Sequence, residues 1–217
     1  MKNIGVILAA GNGLRFGGKV PKQFIVLQNK AVLRHSVETF MNAKNIDELV
    51  LIVNKNYTEN YLEIIKLLNY TKNLFLVEGG ATRQESVKKA IDYLSTKNEE
   101  AIVLVHDAAR PFVTEKIIND NIEAVKNFIC CTTALPCTDS VYIVNDGKFS
   151  QELKRETVYF AQTPQSSYLS IFKKALDSIN EIYTDDAALF AKLGYVPHIV
   201  PGDPKNVKIT FPTDIKE

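Results

Sequence analysis

The feature that most constrains this chain is a repeated alternation of short apolar runs with longer segments of helical period. Residues 4–9, 48–53, 74–77, 101–106 and 130–135 are short and apolar, several of them rich in Val and Ile. Such runs suit strands buried on both faces of a parallel sheet. Between them, residues 31–40, 59–68, 83–94 and 114–125 place apolar side chains at helical spacing. Thr82 with Glu85 reads as a helix N-cap with a capping box, and Thr114, three residues before Ile117, as a second N-cap. Strand followed by helix, repeated, predicts a doubly wound, mostly parallel α/β sheet.

The rhythm breaks after Leu135. Residues 139–144 and 148–153, joined by the polar turn 145–147, read as a β-hairpin projecting from the sheet as an arm over about residues 138–160. Helical pattern returns at 168–179 and 184–193, and strand pattern at 196–200 and 207–210. With no internal repeat and no linker-like stretch, residues 1–217 are expected to form one domain carrying that arm.

Hydrophobic residues make up 46% and charged residues 24%, which excludes a disordered or low-complexity chain. No apolar run approaches the ~18 residues needed to span a bilayer. The run 4–10 lies behind a lone Lys2 and is followed by glycines and Arg15 rather than a cleavage site, so it reads as a buried strand and the protein as cytoplasmic. Cys130, Cys131 and Cys137 show no C-x-x-C spacing and are expected to be small core residues. His35, His106 and His198 are scattered and suggest no metal cluster. Aromatic residues do not interleave with a basic stripe, so nucleic acid is not an expected partner.

A net charge of +1 hides an asymmetry. Residues 1–37 contain no acid, yet hold Lys2, Arg15, Lys19, Lys22, Lys30 and Arg34. A near-neutral chain with one cationic end is suited to a small anion. Within that end, Gly11, Gly13, Gly17 and Gly18 follow the first predicted strand. Glycines there let backbone N–H groups wrap a phosphate without Cβ clashes. A dinucleotide fingerprint fails because its third glycine comes one residue late, at Gly17. A P-loop fails because Val20 stands where a hydroxyl would hold Mg²⁺. The segment is therefore either a phosphate loop of another kind or an ordinary strand-to-helix turn, and Arg15, Lys19 and Lys22 favour phosphate.

Three further constellations carry chemistry. Asp107, at the end of the fourth predicted strand, points into the crevice where α/β sheets bind ligands. It could hold Mg²⁺, accept from a ribose hydroxyl, or pair with Arg110 in the loop; His106 beside it is either a general base or a packed strand-end side chain. Gly79 and Gly80, ahead of the Thr82 cap, offer backbone donors for a base or merely a tight turn. Asp185 and Asp186 are either a metal pair or acids answering a helix dipole. Lys208, in an alternating stretch, is a surface lysine by default.

Six segments in order carry a resemblance: Leu8-Ala9-Ala10-Gly11 through Arg15; Pro21-Lys22-Gln23; Gly79-Gly80 to Ser86-Val87; Val105-His106-Asp107-Ala108-Ala109-Arg110-Pro111; Ala161-Gln162-Thr163-Pro164-Gln165; and Thr184-Asp185-Asp186 with Asn206-x-Lys208-x-Thr210. Together they span nearly the whole chain, which resembles the 2-C-methyl-D-erythritol 4-phosphate cytidylyltransferases and the neighbouring ribitol-5-phosphate cytidylyltransferases. The resemblance implies a Rossmann-like nucleotidyltransferase sheet that transfers CMP from CTP to a polyol phosphate and releases pyrophosphate. By that pattern Arg15 and Lys22 stabilise the α-phosphorus and the leaving pyrophosphate. Ala9, Ala10, Gly11 and Gly13 wrap the triphosphate and ribose; Gly79, Gly80, Ala81 and Ser86 read cytosine; Asp107 and Ala108 contact ribose or metal, with Asp107 a possible metal ligand, and Arg110 is a further substrate-binding residue. Arg155, Thr163, Thr184 and Lys208 hold the acceptor, Arg155 and Lys208 orienting its phosphate. Mg²⁺ or another divalent cation is implied, bridging the phosphates.

In this family the arm crosses to a second subunit, which implies a homodimer in which Arg155 and Ser140 serve the partner's site. The arm departs from the family's usual D-T-[IM]-K, reading Asp139-Ser140-Val141-Tyr142, so a hydroxyl is kept and a cation lost. Ala9-Ala10-Gly11, Arg83-Gln84 to Ser86-Val87, Ala108-Ala109 and Asp185-Asp186 favour methylerythritol phosphate over ribitol 5-phosphate as acceptor.

Overall fold

The computed structural model describes residues 1–13, 20–69, 72–97, 100–178 and 181–215. Among the described residues, the main sheet is built from β1 (Lys2–Leu8), β4 (Glu48–Val53), β5 (Asn73–Glu78), β6 (Ala101–Asp107), β7 (Cys130–Pro136), β10 (Tyr159–Tyr168) and β11 (His198–Pro201). Across the sheet these seven strands lie in the order β11-β7-β10-β6-β1-β4-β5. β1 pairs in parallel with β4 and β6, β4 with β5, and β7 with β11, whereas β10 runs antiparallel between β6 and β7. Helices α1 (Val32–Asn42), α2 (Thr58–Lys66), α3 (Arg83–Ser95), α4 (Glu115–Phe128), α5 (Leu169–Ser178) and α6 (Asp186–Lys192) cover the two faces. The doubly wound, mostly parallel sheet is as expected.

Strict alternation along each central strand splits the core into two layers. On β1, β4 and β6, Ile7, Leu49, Leu51, Ile102 and Leu104 face a cluster shared with Leu33, Phe40 and Ile118. Their neighbours Ile4, Val6, Val50, Ile52, Val103 and Val105 face Val87, Ile91, Phe172 and Phe190. Strands buried on both faces in this way are apolar through their middle, with polar His106 and Asp107 only at the C-terminal end of β6, which is why their runs are legible. The helix starts follow local chemistry. Thr82 accepts from the Glu85 N–H at 3.1 Å, Thr114 from the Ile117 N–H at 3.3 Å, and Asp185 from the Ala188 N–H at 3.0 Å. Glu85 completes the first cap one residue earlier than a capping box requires, accepting from the Ala81 N–H at 2.8 Å.

Three parts differ from expectation. β10 has no apolar run: its buried stretch reads Gln162-Thr163-Pro164-Gln165-Ser166-Ser167. Partners far along the chain satisfy these groups; Ser166 donates to Asn121 Oδ1 at 2.9 Å, for example. Residues 207–210 form no strand. Ile209 instead makes a single backbone bond, to the Ala109 carbonyl at 2.8 Å, so the alternation buries Ile209 without building a ladder. A small hairpin, β2 (Val26–Leu27) and β3 (Lys30–Ala31), turns through Gln28 and Asn29 at positive φ and precedes α1.

The arm is as expected: β8 (Val141–Asn145) and β9 (Lys148–Leu153) form an antiparallel hairpin outside the main sheet. No helix among the described residues is long and apolar enough to cross a membrane. Cys130, Cys131 and Cys137 are free and buried, and burial pushes the Cys130 and Cys131 thiols up to about 11 and about 12.

Candidate active site

The C-terminal ends of β1, β4, β5 and β6 open onto a cleft of about 780 Å³, the position at which doubly wound sheets take their ligands. Its first wall is the loop after β1, held from behind. The buried Gln23 amide donates to the carbonyls of Ala9 at 2.7 Å and Gly11 at 2.9 Å. The Tyr61 hydroxyl donates to the same Ala9 carbonyl at 2.6 Å, and Asn54 donates to the Ala10 carbonyl at 3.3 Å and to Asn12 Oδ1 at 2.7 Å. A bend whose carbonyls are committed to the protein can offer its N–H groups to an anion. Gly13 sits at φ +64, where a Cβ would also lie 3.2 Å from the Lys22 backbone nitrogen. Glycine is therefore required there both by conformation and by the close approach of Lys22.

Lys22 lines the cleft, half-buried, and donates from Nζ to the Ile209 carbonyl at 2.7 Å. Arg15 and Lys19 lie outside the described residues. The remaining N-terminal cations are engaged elsewhere: Lys2 pairs with Glu48 at 2.6 Å, and Lys30 and Arg34 converge on Glu38 at 2.5 and 2.7 Å. Among the described residues, three cations of the acid-free stretch are thus answered by acids from later in the chain.

The opposite wall is the turn between β5 and α3. A Cβ on Gly79 would fall 2.4 Å from the Ala10 Cβ, so the two loops of the crevice touch only because residue 79 has no side chain. The Gly80 N–H donates to Ser86 Oγ at 3.0 Å, and that hydroxyl donates to the Thr82 carbonyl at 2.9 Å. Lys89 reaches back to the Gly79 carbonyl at 2.8 Å. Gly79, Gly80, Ala81 and Ser86 all line the cleft, so the tight turn is itself part of the cleft wall.

Between the walls stands Asp107. Its Oδ2 accepts from Lys208 Nζ at 2.6 Å and its Oδ1 from Arg83 Nε at 3.3 Å. Burial alone would raise this carboxyl, but Arg83 and then Lys208 outweigh burial and hold it well below the usual carboxylate range. The alternative pairing with Arg110 does not form. That guanidinium donates to the Asn206 carbonyl at 2.9 Å and the Ala161 carbonyl at 3.0 Å, tying β10 to the segment that carries Lys208. Arg83 spends its other two nitrogens on Asp186, at 3.0 and 2.8 Å. Asp185 caps α6, so the two acids answer a helix and an arginine rather than forming a metal pair. Among the described residues no group of three or more His, Cys, Asp or Glu side chains could hold a metal ion.

His106 is a packed strand-end side chain. It is fully buried against Phe40, with Nε2 3.1 Å from the Arg110 carbonyl and Nδ1 3.0 Å from Thr163 Oγ1. Because a carbonyl only accepts, Nε2 carries the proton; Nδ1 then accepts from Thr163, whose oxygen accepts from the Asp107 N–H at 3.1 Å. Burial pushes the His106 imidazole down from 6.5 to about 4. Between those values the unfolded chain takes up a proton that the folded chain refuses, so stability is full above the upper value and falls as pH drops through the window. Wild type is expected to lose about 2 kcal/mol between about pH 7 and about pH 5 from this group. Urea unfolding at both values tests this, and His106→Gln should flatten the dependence; an equal slope in both proteins would remove His106 as its cause.

The remaining expected site residues fall into two sets. Ala9, Ala108, Thr163 and Arg110 are buried behind the cleft wall, where they position Leu8, Asp107 and the 206–210 segment. Ser140, Arg155 and Thr184 are exposed and do not line their own chain's cleft. Arg155 lies at the base of the arm, 3.4 Å from the Thr138 carbonyl and 3.5 Å from Glu156. Sequence reasoning missed the roles of Gln23, Asn54, Tyr61, Arg83 and Asp186. For Arg83 a signal existed: a cation in the first turn of a helix opposes the dipole and calls for a compensating acid. Tyr61 is indistinguishable in sequence from an ordinary core aromatic.

The model of the 2-C-methyl-D-erythritol 4-phosphate cytidylyltransferase (IspD) family matches residues 4–217. A 2-C-methyl-D-erythritol 4-phosphate cytidylyltransferase of Thermosipho africanus is 36% identical over 98% of this chain and 94% of its own length. A ribitol-5-phosphate cytidylyltransferase of Streptococcus agalactiae is 35% identical over 99% of this chain and 92% of its own. Among solved structures, a 4-diphosphocytidyl-2C-methyl-D-erythritol synthase of Anaerococcus prevotii superposes with a TM-score of 0.84 at 28% identity, covering 99% of this chain and 95% of that one.

Proposed function

Since the chain belongs to the 2-C-methyl-D-erythritol 4-phosphate cytidylyltransferase family, we propose that its cleft transfers CMP from CTP to 2-C-methyl-D-erythritol 4-phosphate and releases pyrophosphate. The observation that carries this reading is the convergence, at one end of the sheet, of an anion-binding bend, Lys22 and the Asp107–Lys208 pair. A phosphate oxygen of the acceptor attacks the α-phosphorus of CTP. The new P–O bond forms as the bond to the β-phosphate oxygen breaks, and pyrophosphate departs opposite the attack. No proton must be removed from a nucleophile that is already an anion, so the protein's task is positioning and charge stabilisation.

The parts divide that task. The bend from Ala10 to Gly13 holds the triphosphate, Gly80, Ala81 and Ser86 face the base, and Lys22, with Arg15, meets charge building on the leaving group. Lys208 exchanges Asp107 for the acceptor's phosphate, a doubly charged competitor. Of the cleft's side chains, Asp107 would be the one to hold a divalent cation such as Mg²⁺ beside the bound phosphates. When bound, the cation would neutralise phosphate charge.

The enzyme works as a cytoplasmic homodimer with exchanged arms. Support comes from the arm itself, where Tyr142 packs edge-on against Phe149 at 5.4 Å and Val144 pairs across from Phe149, all three exposed, an apolar surface of the kind that marks an interface. It also comes from Arg155 and Ser140, which lie outside their own chain's cleft. Pyrophosphate release with CTP and each polyol phosphate in turn tests the acceptor. kcat/KM is expected to be at least ~100-fold higher with methylerythritol phosphate, the discrimination a shaped polar pocket supplies. A preference for ribitol 5-phosphate would overturn the choice.

A further inference from the structure

Asp186 is only 1% exposed and begins α6 two residues after Thr184. Gln165 of β10 fixes its backbone by accepting from the N–H groups of Asp186 at 2.7 Å and Ala187 at 3.0 Å. Its carboxylate in turn takes the fork of Arg83, Oδ1 from Nη1 at 3.0 Å and Oδ2 from Nη2 at 2.8 Å. Arg83 consequently meets Asp107 with its Nε alone, at 3.3 Å, while Lys208 keeps the other Asp107 oxygen at 2.6 Å. A guanidinium released into this half-dry crevice would clasp the nearest carboxylate with two parallel bonds, the strongest arrangement open to it. That carboxylate is Asp107.

We propose that Asp186 is a positioning residue, which occupies the fork of Arg83 so that Asp107 stays available to the nucleotide instead of being clasped. Through Gln165 and α6, the frame that carries Thr184 thereby sets the state of the carboxylate across the cleft. The inference rests on the nucleotide-binding reading of this cleft.

A calorimetric cycle tests it, titrating CTP into wild type, Asp186→Asn, Asp107→Asn and the double variant. Asp186→Asn is expected to weaken CTP binding about tenfold in the wild-type background and less than about twofold when Asp107 is already Asn, since no carboxylate then remains for Arg83 to clasp. An equal loss in both backgrounds, the mark of a scaffold role, overturns the proposal. So does wild-type affinity in Asp186→Asn. If Asp186→Asn fails to fold by circular dichroism, Asp186→Glu, which keeps the charge and shifts the carboxylate by one methylene, takes its place in the same cycle. An equal loss in both backgrounds, or no loss at all, overturns the proposal there too. Absence of CTP binding by wild type would instead sink the nucleotide-binding reading itself.

Discussion

Replacing Lys22 with alanine is expected to lower kcat by about 10²–10³-fold, the range seen when one preorganised charge donor to a transition state is lost. CTP affinity should change far less. Lys22 stands at the junction of the bend and the 209 carbonyl, where Gly13 allows its backbone to approach the loop. A cation at that point meets charge that grows as the leaving bond breaks, so its value is larger in the transition state than in the bound substrate. Pyrophosphate release at saturating CTP and acceptor measures the effect, and titration of CTP separates binding from chemistry. Turnover within twofold of wild type would remove Lys22 from the catalytic step. The same expectation extends to Arg15.

Mixed dimers give the second large effect. Arg155→Ala and Lys22→Ala homodimers should each be nearly inactive, and mixing them with subunit exchange should restore about a quarter of wild-type activity. The arithmetic follows from two-fold symmetry. Random pairing makes half the dimers mixed, and in each mixed dimer one of the two sites combines an intact Lys22 from one chain with an intact Arg155 from the other. If Arg155 served its own chain's cleft instead, every site in a mixed dimer would carry one lesion and no activity would return. That result would end the exchanged-arm arrangement while leaving the chemistry of the cleft untouched.

What could be read from residues alone followed how each element is buried. β1, β4, β5, β6 and β7 were legible within a residue or two, β1, β4 and β6 because their central residues are buried between two helical layers, and the edge strand β5 and the Thr-containing β7 by their short β-prone runs. The caps at Thr82 and Thr114 were legible because capping is a bond across three residues. Within the site, the loop glycines, Lys22 and Asp107 announce themselves by residue type next to a strand end. Arg83, a cation in a helix's first turn, signals only that some acid must answer it and not that the acid is Asp186, and nothing local pairs Gln23 with Ala9.

Sequence by itself therefore determined the doubly wound sheet, the projecting hairpin and the end of the sheet at which the cleft opens, all products of periodicity and short-range bonding. Tertiary structure alone decided that a polar segment would become the antiparallel β10, and that 207–210 would cross the cleft without pairing. It also decided that Asp107 would face Arg83 and Lys208 rather than Arg110. The physical reason is common to all three. A buried polar group is satisfied by whichever partner the packing brings within about 3 Å, and Arg83 and Lys208 stand 24 and 101 residues away from Asp107 along the chain.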